Sequence, residues 1–296
     1  MTDLNRTDRL WADEPGTGWR RYLIADVFTA TPLEGNQLAV FPDGRGLGAD
    51  VMQRTARELN LSETVFLLPA EDSADVRVRI FTPADELTFA GHPVLGSAFV
   101  LGEALGTSAL MLETGAGLVP VELERDRGRI AFGRMEQPVP VPEPYEDAAA
   151  LLAALGDRES GLPVEAYRNG PRHVYVELAS EAEVAGLWPD QRVLAQLPIY
   201  ANTFAGRGPA WKTRIFGPYH GVPEDPATGS AAGPLAVHLA RHGRIGFSEE
   251  IEIRQGEEIA RPSRLYARAE GSADKVERVL VGGSAVIVAR GEYRLS

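Results

Sequence analysis

The sequence predicts an α+β protein built as two similar halves, each a set of strands wrapped around one buried helix. Three observations carry this expectation. A cassette occurs twice: ELTFAGHPVLGS at 86–97 and EDPATGSAAGPL at 224–235 each place an acid five residues before a glycine, followed by a polar side chain and then small and apolar residues. Arg79-Ile80-Phe81-Thr82-Pro83 returns 135 residues later as Arg214-Ile215-Phe216-Gly217-Pro218, with three extra residues around Tyr219-His220-Gly221 before the second cassette. Each cassette leads into a segment that is apolar almost all round, HPVLGSAFVLGEAL or SAAGPLAVHLA. A helix with no polar face must be buried.

The elements follow in order. Residues 1–19 are polar and charged, without an apolar core, and read as a loose arm rather than a signal peptide or anchor. YLIADVF, QLAVF, TVFLL and VRVRIF are rich in Val, Ile, Leu and Phe and read as strands. GADVMQRTARELN has helical periodicity and ends at an asparagine. Met135–Asp147 carries four prolines and reads as an extended connector. The last stretch, from EIEIRQ to GEYRL, reads as successive strands with glycine turns. The expected division is a first half over 20–136, completed by a C-terminal strand at 285–296, and a second half over 137–284.

Composition narrows the function. A net charge of −12 argues against nucleic acid, whose phosphates demand clustered Lys and Arg. No stretch approaches the apolar length of a membrane span, so a cytoplasmic protein is the default. The chain has no cysteine, which excludes disulfides, thiolate metal sites and thiol nucleophiles.

At the start of a buried helix the first backbone N–H groups need partners, and an anion suits both those donors and the macrodipole. Gly91-His92 and Gly229-Ser230 fit this use, with His92 or Ser230 expected at the cap. Taken alone, either cassette reads as an ordinary cap. The repetition favours two helix starts that share a small carboxylate substrate across a cleft between the halves. Glu63, in LSETVFLL, has core-like neighbours. Partial desolvation of such a carboxyl raises its pKa and makes it a credible proton shuttle. Asp225 precedes Pro226 just ahead of the second helix start, where a capping role competes with a substrate contact. His238 and His242 have i, i+4 spacing but no evident third metal ligand, and read as surface or packing residues. His173 lies in a strand and His220 in the inserted turn.

Taken together, GNQLAVF, LSETVF, RIFTPADELTFAGHP, NGPRHVYV, EDPATGSA, QGEEIARPS and VGGSAVIVARGEY resemble the PhzF-like family, in order from about Tyr22 to Tyr293. The resemblance implies the diaminopimelate epimerase-like fold: two similar halves, each a rolled, mostly antiparallel sheet around a central helix, with the active site between them. It implies a cofactor-free, metal-free isomerase that shifts a proton on trans-2,3-dihydro-3-hydroxyanthranilate or a similar cyclic carboxylic acid. It also implies Glu63, His92 and Asp225 as catalytic groups, Gly91, His92, Gly229 and Ser230 as the carboxylate cradle, and a homodimer. Gln37 departs from the proline of many relatives. Racemases of this fold that use one cysteine per half are excluded by composition.

Three rivals are weaker. Gly44-x-Gly46-x-x-Ala49 resembles a dinucleotide fingerprint, but Glu63 precedes its strand instead of ending one, and Asp43 and Asp50 would crowd a pyrophosphate. A pyridoxal-phosphate enzyme would need Lys212 or Lys275, neither in a persuasive context. The rival from another class is a non-catalytic carboxylate-binding protein on the same fold.

Overall fold

The computed structural model describes residues 18–71 and 73–295, so most of the N-terminal arm lies outside the described residues. The chain divides into two compact units, one comprising residues 1–136 and 282–296, the other residues 137–281.

In the first unit, the strand Trp19–Val27 pairs antiparallel with the C-terminal strand Ala285–Arg294 on one side and with Asn36–Phe41 on the other. Asn36–Phe41 runs parallel to Glu63–Leu68, which is antiparallel to Val76–Phe81. Val76–Phe81 is then parallel to Ala109–Thr114, and the meander closes through Gly117–Asp126 and Arg129–Gln137. Helix α1 (Ala49–Leu59) makes the parallel crossover and stops at Asn60 in the left-handed conformation, φ 52°. This is the terminator the sequence suggested. Helix α2 (Gly91–Leu105) is the centre, with every residue from Gly91 to Gly102 buried. Its backbone runs close to the sheet: a Cβ on Gly96 would sit 2.6 Å from a Leu38 methyl and 2.8 Å from one of Val27.

The second unit repeats the ladder. Val141–Pro144 pairs antiparallel with Glu165–Arg168, which is antiparallel to Arg172–Glu177. Arg172–Glu177 is parallel to Tyr200–Arg207, antiparallel in turn to Ala210–Gly217. Ala210–Gly217 is parallel to Glu250–Gln255, and that strand is antiparallel to Ser263–Gly271. The short helices α3 (Ala148–Ala154), α4 (Glu181–Ala185) and α5 (Gln191–Leu194) cover the outside. Helix α6 (Gly229–Arg241) is the centre, buried from Gly229 to Ala240. The proline tract read as a connector is partly a strand, and its prolines fit the edge, where a missing N–H costs no ladder bond.

The repeated Arg-Ile-Phe explains the acid of each cassette. Arg79 meets Glu86 in a two-bond fork at 2.7 and 2.7 Å and lies 5.1 Å from the Phe81 ring centre. Arg214 meets Glu224 at 2.8 and 2.8 Å and lies 5.1 Å from that of Phe216. The acid five residues before each glycine therefore ties the loop entering the central helix to the strand before it.

Candidate active site

Glu63 is the first residue of its strand, not the residue before it, and lies opposite Leu38 in the parallel ladder. Its carboxyl is buried, 8% exposed, with Oε2 3.2 Å from His92 Nε2. His92 is the second residue of α2, not its cap: the N-cap is Ala90, whose side chain can accept nothing. The first N–H groups of the helix are thus left for a ligand. Burial holds the His92 pKa at about 3, against the smaller upward pull of a hydrogen bond to the Gln37 backbone. A neutral imidazole gives the neighbouring carboxyl no counter-charge, so the two do not form a buried ion pair. Asn36 Nδ2, 3.3 Å from His92 Nδ1, steadies the ring from behind.

The second helix start is built from different side chains. Thr228 is the N-cap position of α6 and makes no side-chain cap bond; its hydroxyl donates to Asp225 Oδ2 at 2.5 Å instead. Gln255 braces the turn, donating to the Asp225 carbonyl at 2.7 Å and to Thr228 Oγ1 at 3.0 Å, and accepting from the Thr228 N–H at 3.0 Å. Asp225 is thereby fixed and buried four residues before Gly229. Ser230 is the second helical residue, as His92 is in the first unit, and is likewise not the cap. Pro234 cannot supply the helical N–H that the Ser230 carbonyl would accept, and Asn169 Nδ2 takes its place at 3.0 Å. Gln137 donates to the Gly229 carbonyl at 2.8 Å. Neighbouring side chains therefore occupy the carbonyls, while the first N–H groups stay directed out of the helix end.

The remaining candidates separate. His173 is fully buried and bonds Ser230 Oγ at 3.1 Å. His220 stacks on Tyr200 with ring centres 4.6 Å apart and planes 7° from parallel. His238 is buried rather than superficial and does have a third acidic neighbour: with His242 and Glu165 it forms a group whose potential ligand atoms lie within 4.8 Å. Arg241 already supplies a cation there, 3.2 Å from the same Glu165 oxygen, and Tyr167 OH stands 2.9 Å from it. That arrangement is a closed network, in which hydrogen bonds from His238 above all hold the Glu165 carboxyl far below the usual range. Lys212 lies within the strand Ala210–Gly217 and pairs with Glu257 at 2.5 Å and Glu258 at 2.7 Å, far from the free amine a Schiff base needs. The Gly44–Gly46 loop leads into α1, but Asp43 spends its carboxylate on Arg45 at 2.8 Å. A separate concavity of about 600 Å³ lined by Tyr22, Leu23, Val100, Ala104 and Ile287 shares no residue with the Glu63–His92 pair.

Sequence reasoning missed Asn36, Asn202 and Gln255, and placed His173 in a strand without giving it a role. A signal existed for that role: His173 is a titratable residue leading into the apolar run Val174–Val176.

A duplicated strand-wrapped helix with a carboxyl and a neutral histidine at one helix start defines the class, whose fold is shared with epimerases and racemases. A hydroxyproline epimerase from Agrobacterium vitis superposes with a TM-score of 0.64 at 14% identity, covering 94% of this chain and 93% of that one, which is a likeness of fold alone. The sequence profile of the phenazine biosynthesis-like proteins matches residues 25–291, and the chain belongs to that family. It is 52% identical to a trans-2,3-dihydro-3-hydroxyanthranilate isomerase of Pseudomonas aeruginosa over 93% of this chain and 99% of that protein. A protein of the same description from Pseudomonas chlororaphis is 51% identical over 91% of this chain and 98% of its own length. A PhzF-family protein of Bacillus anthracis superposes with a TM-score of 0.80 at 26% identity, covering 93% and 99% of the two chains.

Proposed function

We propose that this chain is a cofactor-independent isomerase of trans-2,3-dihydro-3-hydroxyanthranilate, with Glu63 as the group that removes and returns the proton. The observation that carries the reading is the buried Glu63 carboxyl 3.2 Å from a neutral His92 at an uncapped helix start. The 52% identity to an isomerase of that name supports the substrate and the reaction class.

In this mechanism the donors offered to a substrate carboxylate are the backbone N–H groups of Gly91-His92 in the first unit and those of Gly229-Ser230 in the second. Glu63 as carboxylate takes a proton from a carbon beside the unsaturated system, and the electron pair of that C–H bond moves along it. The proton then returns from Glu63 to a carbon further along the same face. His92, whose Nε2 is 3.2 Å from the carboxyl, is the polar group nearest to it on the helix and orients it toward the substrate. Asp225, fixed by Thr228 and Gln255, is the polar contact from the second helix start. One carboxyl working on one face suits an allylic shift better than an inversion.

Solvent-deuterium uptake into the substrate tests the assignment. Glu63→Gln should abolish uptake while ligand affinity stays within about threefold, because the amide keeps the shape and loses the base. Uptake at the wild-type rate would remove Glu63 from the mechanism. His92→Ala and Asp225→Ala should each lower turnover about a hundredfold. Near-normal rates for both would leave them as structural residues. We also assign the protein to the cytoplasm as a homodimer; light scattering on the purified chain checks the second point. No helix among the described residues is long and apolar enough to cross a membrane.

A further inference from the structure

The second unit places His173 where the first has Leu38, directly opposite Tyr200 in the parallel ladder. A fully buried imidazole at a strand position that serves the first unit as a leucine needs a reason. Its two ring nitrogens have different neighbours: Nε2 is 3.1 Å from Ser230 Oγ, and Nδ1 is 3.5 Å from Asn202 Nδ2.

Asn202 decides which nitrogen carries the proton. Its Nδ2 lies 2.7 Å from the Tyr200 carbonyl and 3.3 Å from the Val174 carbonyl. Carbonyl oxygens only accept, so this atom is the NH2 and not the amide oxygen. An amide NH2 cannot accept, so a proton on Nδ1 would face no acceptor, and Nδ1 carries the lone pair. Burial, with the nearby His220 as a lesser cause, holds the His173 pKa at about 3, so the ring is neutral and its single proton sits on Nε2. That N–H donates to Ser230 Oγ. A hydroxyl that accepts from histidine keeps its own hydrogen to give. Among the described residues no side chain or carbonyl takes that hydrogen, and Ser230 does not bond back into its helix as serines commonly do.

We propose that His173 is a positioning residue that turns the Ser230 hydroxyl into a committed donor for the acid group of the substrate. The inference rests on the function proposed above, because it needs a carboxylate at the start of α6. It adds to that function a hydroxyl donor with a fixed direction, set by an asparagine, a histidine and a serine in series. Asn202, His173 and Ser230 come from two adjacent parallel strands and the central helix, so the relay is as rigid as the unit itself.

Two measurements test it. Histidine-selective 15N NMR of the ligand-free protein should show His173 protonated at Nε2 and not titrating between pH 8 and 5. A proton at Nδ1, or titration in that range, would overturn the proposal whatever the enzyme's activity. In kinetics, His173→Phe should raise KM for the acid about tenfold with a much smaller change in kcat, the size expected for a hydrogen bond to a charged group. His173→Gln, which offers an N–H near the position of Nε2, should recover most of the loss. In a Ser230→Ala background, His173→Phe should add nothing. An undiminished effect of His173→Phe in that background, or a Gln variant that melts like wild type and is as poor as Phe, would reduce His173 to packing. If the wild-type protein takes up no deuterium, the proposed function fails, while the NMR result still decides the relay.

Discussion

Opposite Leu38 the first unit holds Glu63, and opposite His173 the second holds Tyr200. The neighbouring rungs match as well: Thr64 faces Phe81 as Ala201 faces Phe216, and Val65 faces Ile80 as Asn202 faces Ile215. Each unit also keeps the Arg–Glu fork and a glycine-led central helix. The scaffold is repeated, and the chemistry differs at a few rungs next to the helix start. One unit sets a carboxyl against a neutral histidine. The other sets a histidine against a serine and braces an aspartate. The difference teaches that the duplicated ladder supplies position, and single side chains on it decide which polar groups stand beside the helix start.

The sharpest way to break this comparison is to exchange the matched rungs. Glu63→Gln should lower turnover about a thousandfold or more, as loss of a general base does. Tyr200→Phe, at the corresponding rung, should change it less than about tenfold. Comparable losses would mean that both units take part in the proton transfer.

The forks offer a second contrast, in stability. Arg214 is buried and Glu224 partly so, with side chains 8% and 12% exposed, whereas Glu86 is 41% exposed in its fork with Arg79. Glu224→Ala leaves the Arg214 cation without its carboxylate and should cost about 3 kcal/mol in denaturant unfolding. Glu86→Ala should cost about 1 kcal/mol or less, because water screens that pair. Equal costs would show that burial does not separate the two forks.

The smallest expected effect is a slope. His92 and His173 both sit near pKa 3 in the folded protein against 6.5 for the free side chain. Between those values the unfolded chain binds protons that the folded chain refuses, so stability falls as pH drops from about 6.5 towards 3. Above that window these groups contribute no pH dependence. His173→Gln removes one of them and should flatten the acid limb by at most about 1.4 kcal/mol per pH unit. An unchanged limb would mean that His173 is charged in the native state.

The duplicated scaffold was legible because repetition survives in the letters: Arg-Ile-Phe and the glycine-led apolar helices need no knowledge of pairing. Asn60 as a helix end was legible for the same local reason. The acid of each cassette was visible, but its partner was not, since the fork forms only when Val76–Phe81 and Glu86–Leu87, or their counterparts, lie side by side. Glu63 as a buried group could be read from its apolar neighbours, whereas its approach to His92 depends on a strand and a helix 29 residues apart in the chain. His173 and Ser230 are 57 residues apart, and His238 and Glu165 also meet only through folding. Cap positions went astray by two residues because Ala90 and Thr228 make no side-chain cap bond that a sequence pattern could announce.

The pairing of Trp19–Val27 with Ala285–Arg294 also bears on biogenesis. The first unit takes one partner of Trp19–Val27 from chain that follows the whole second unit, with Trp19 matched to Arg294 and Val27 to Ala285. While the ribosome still holds those residues, the edge of Trp19–Val27 stays unpaired and open to other chains. The second unit is continuous from 137 to 281 and has no such wait. The half translated later can therefore be the half finished first, and a chain that stopped before Ala285–Arg294 would cripple the half that was made at the start.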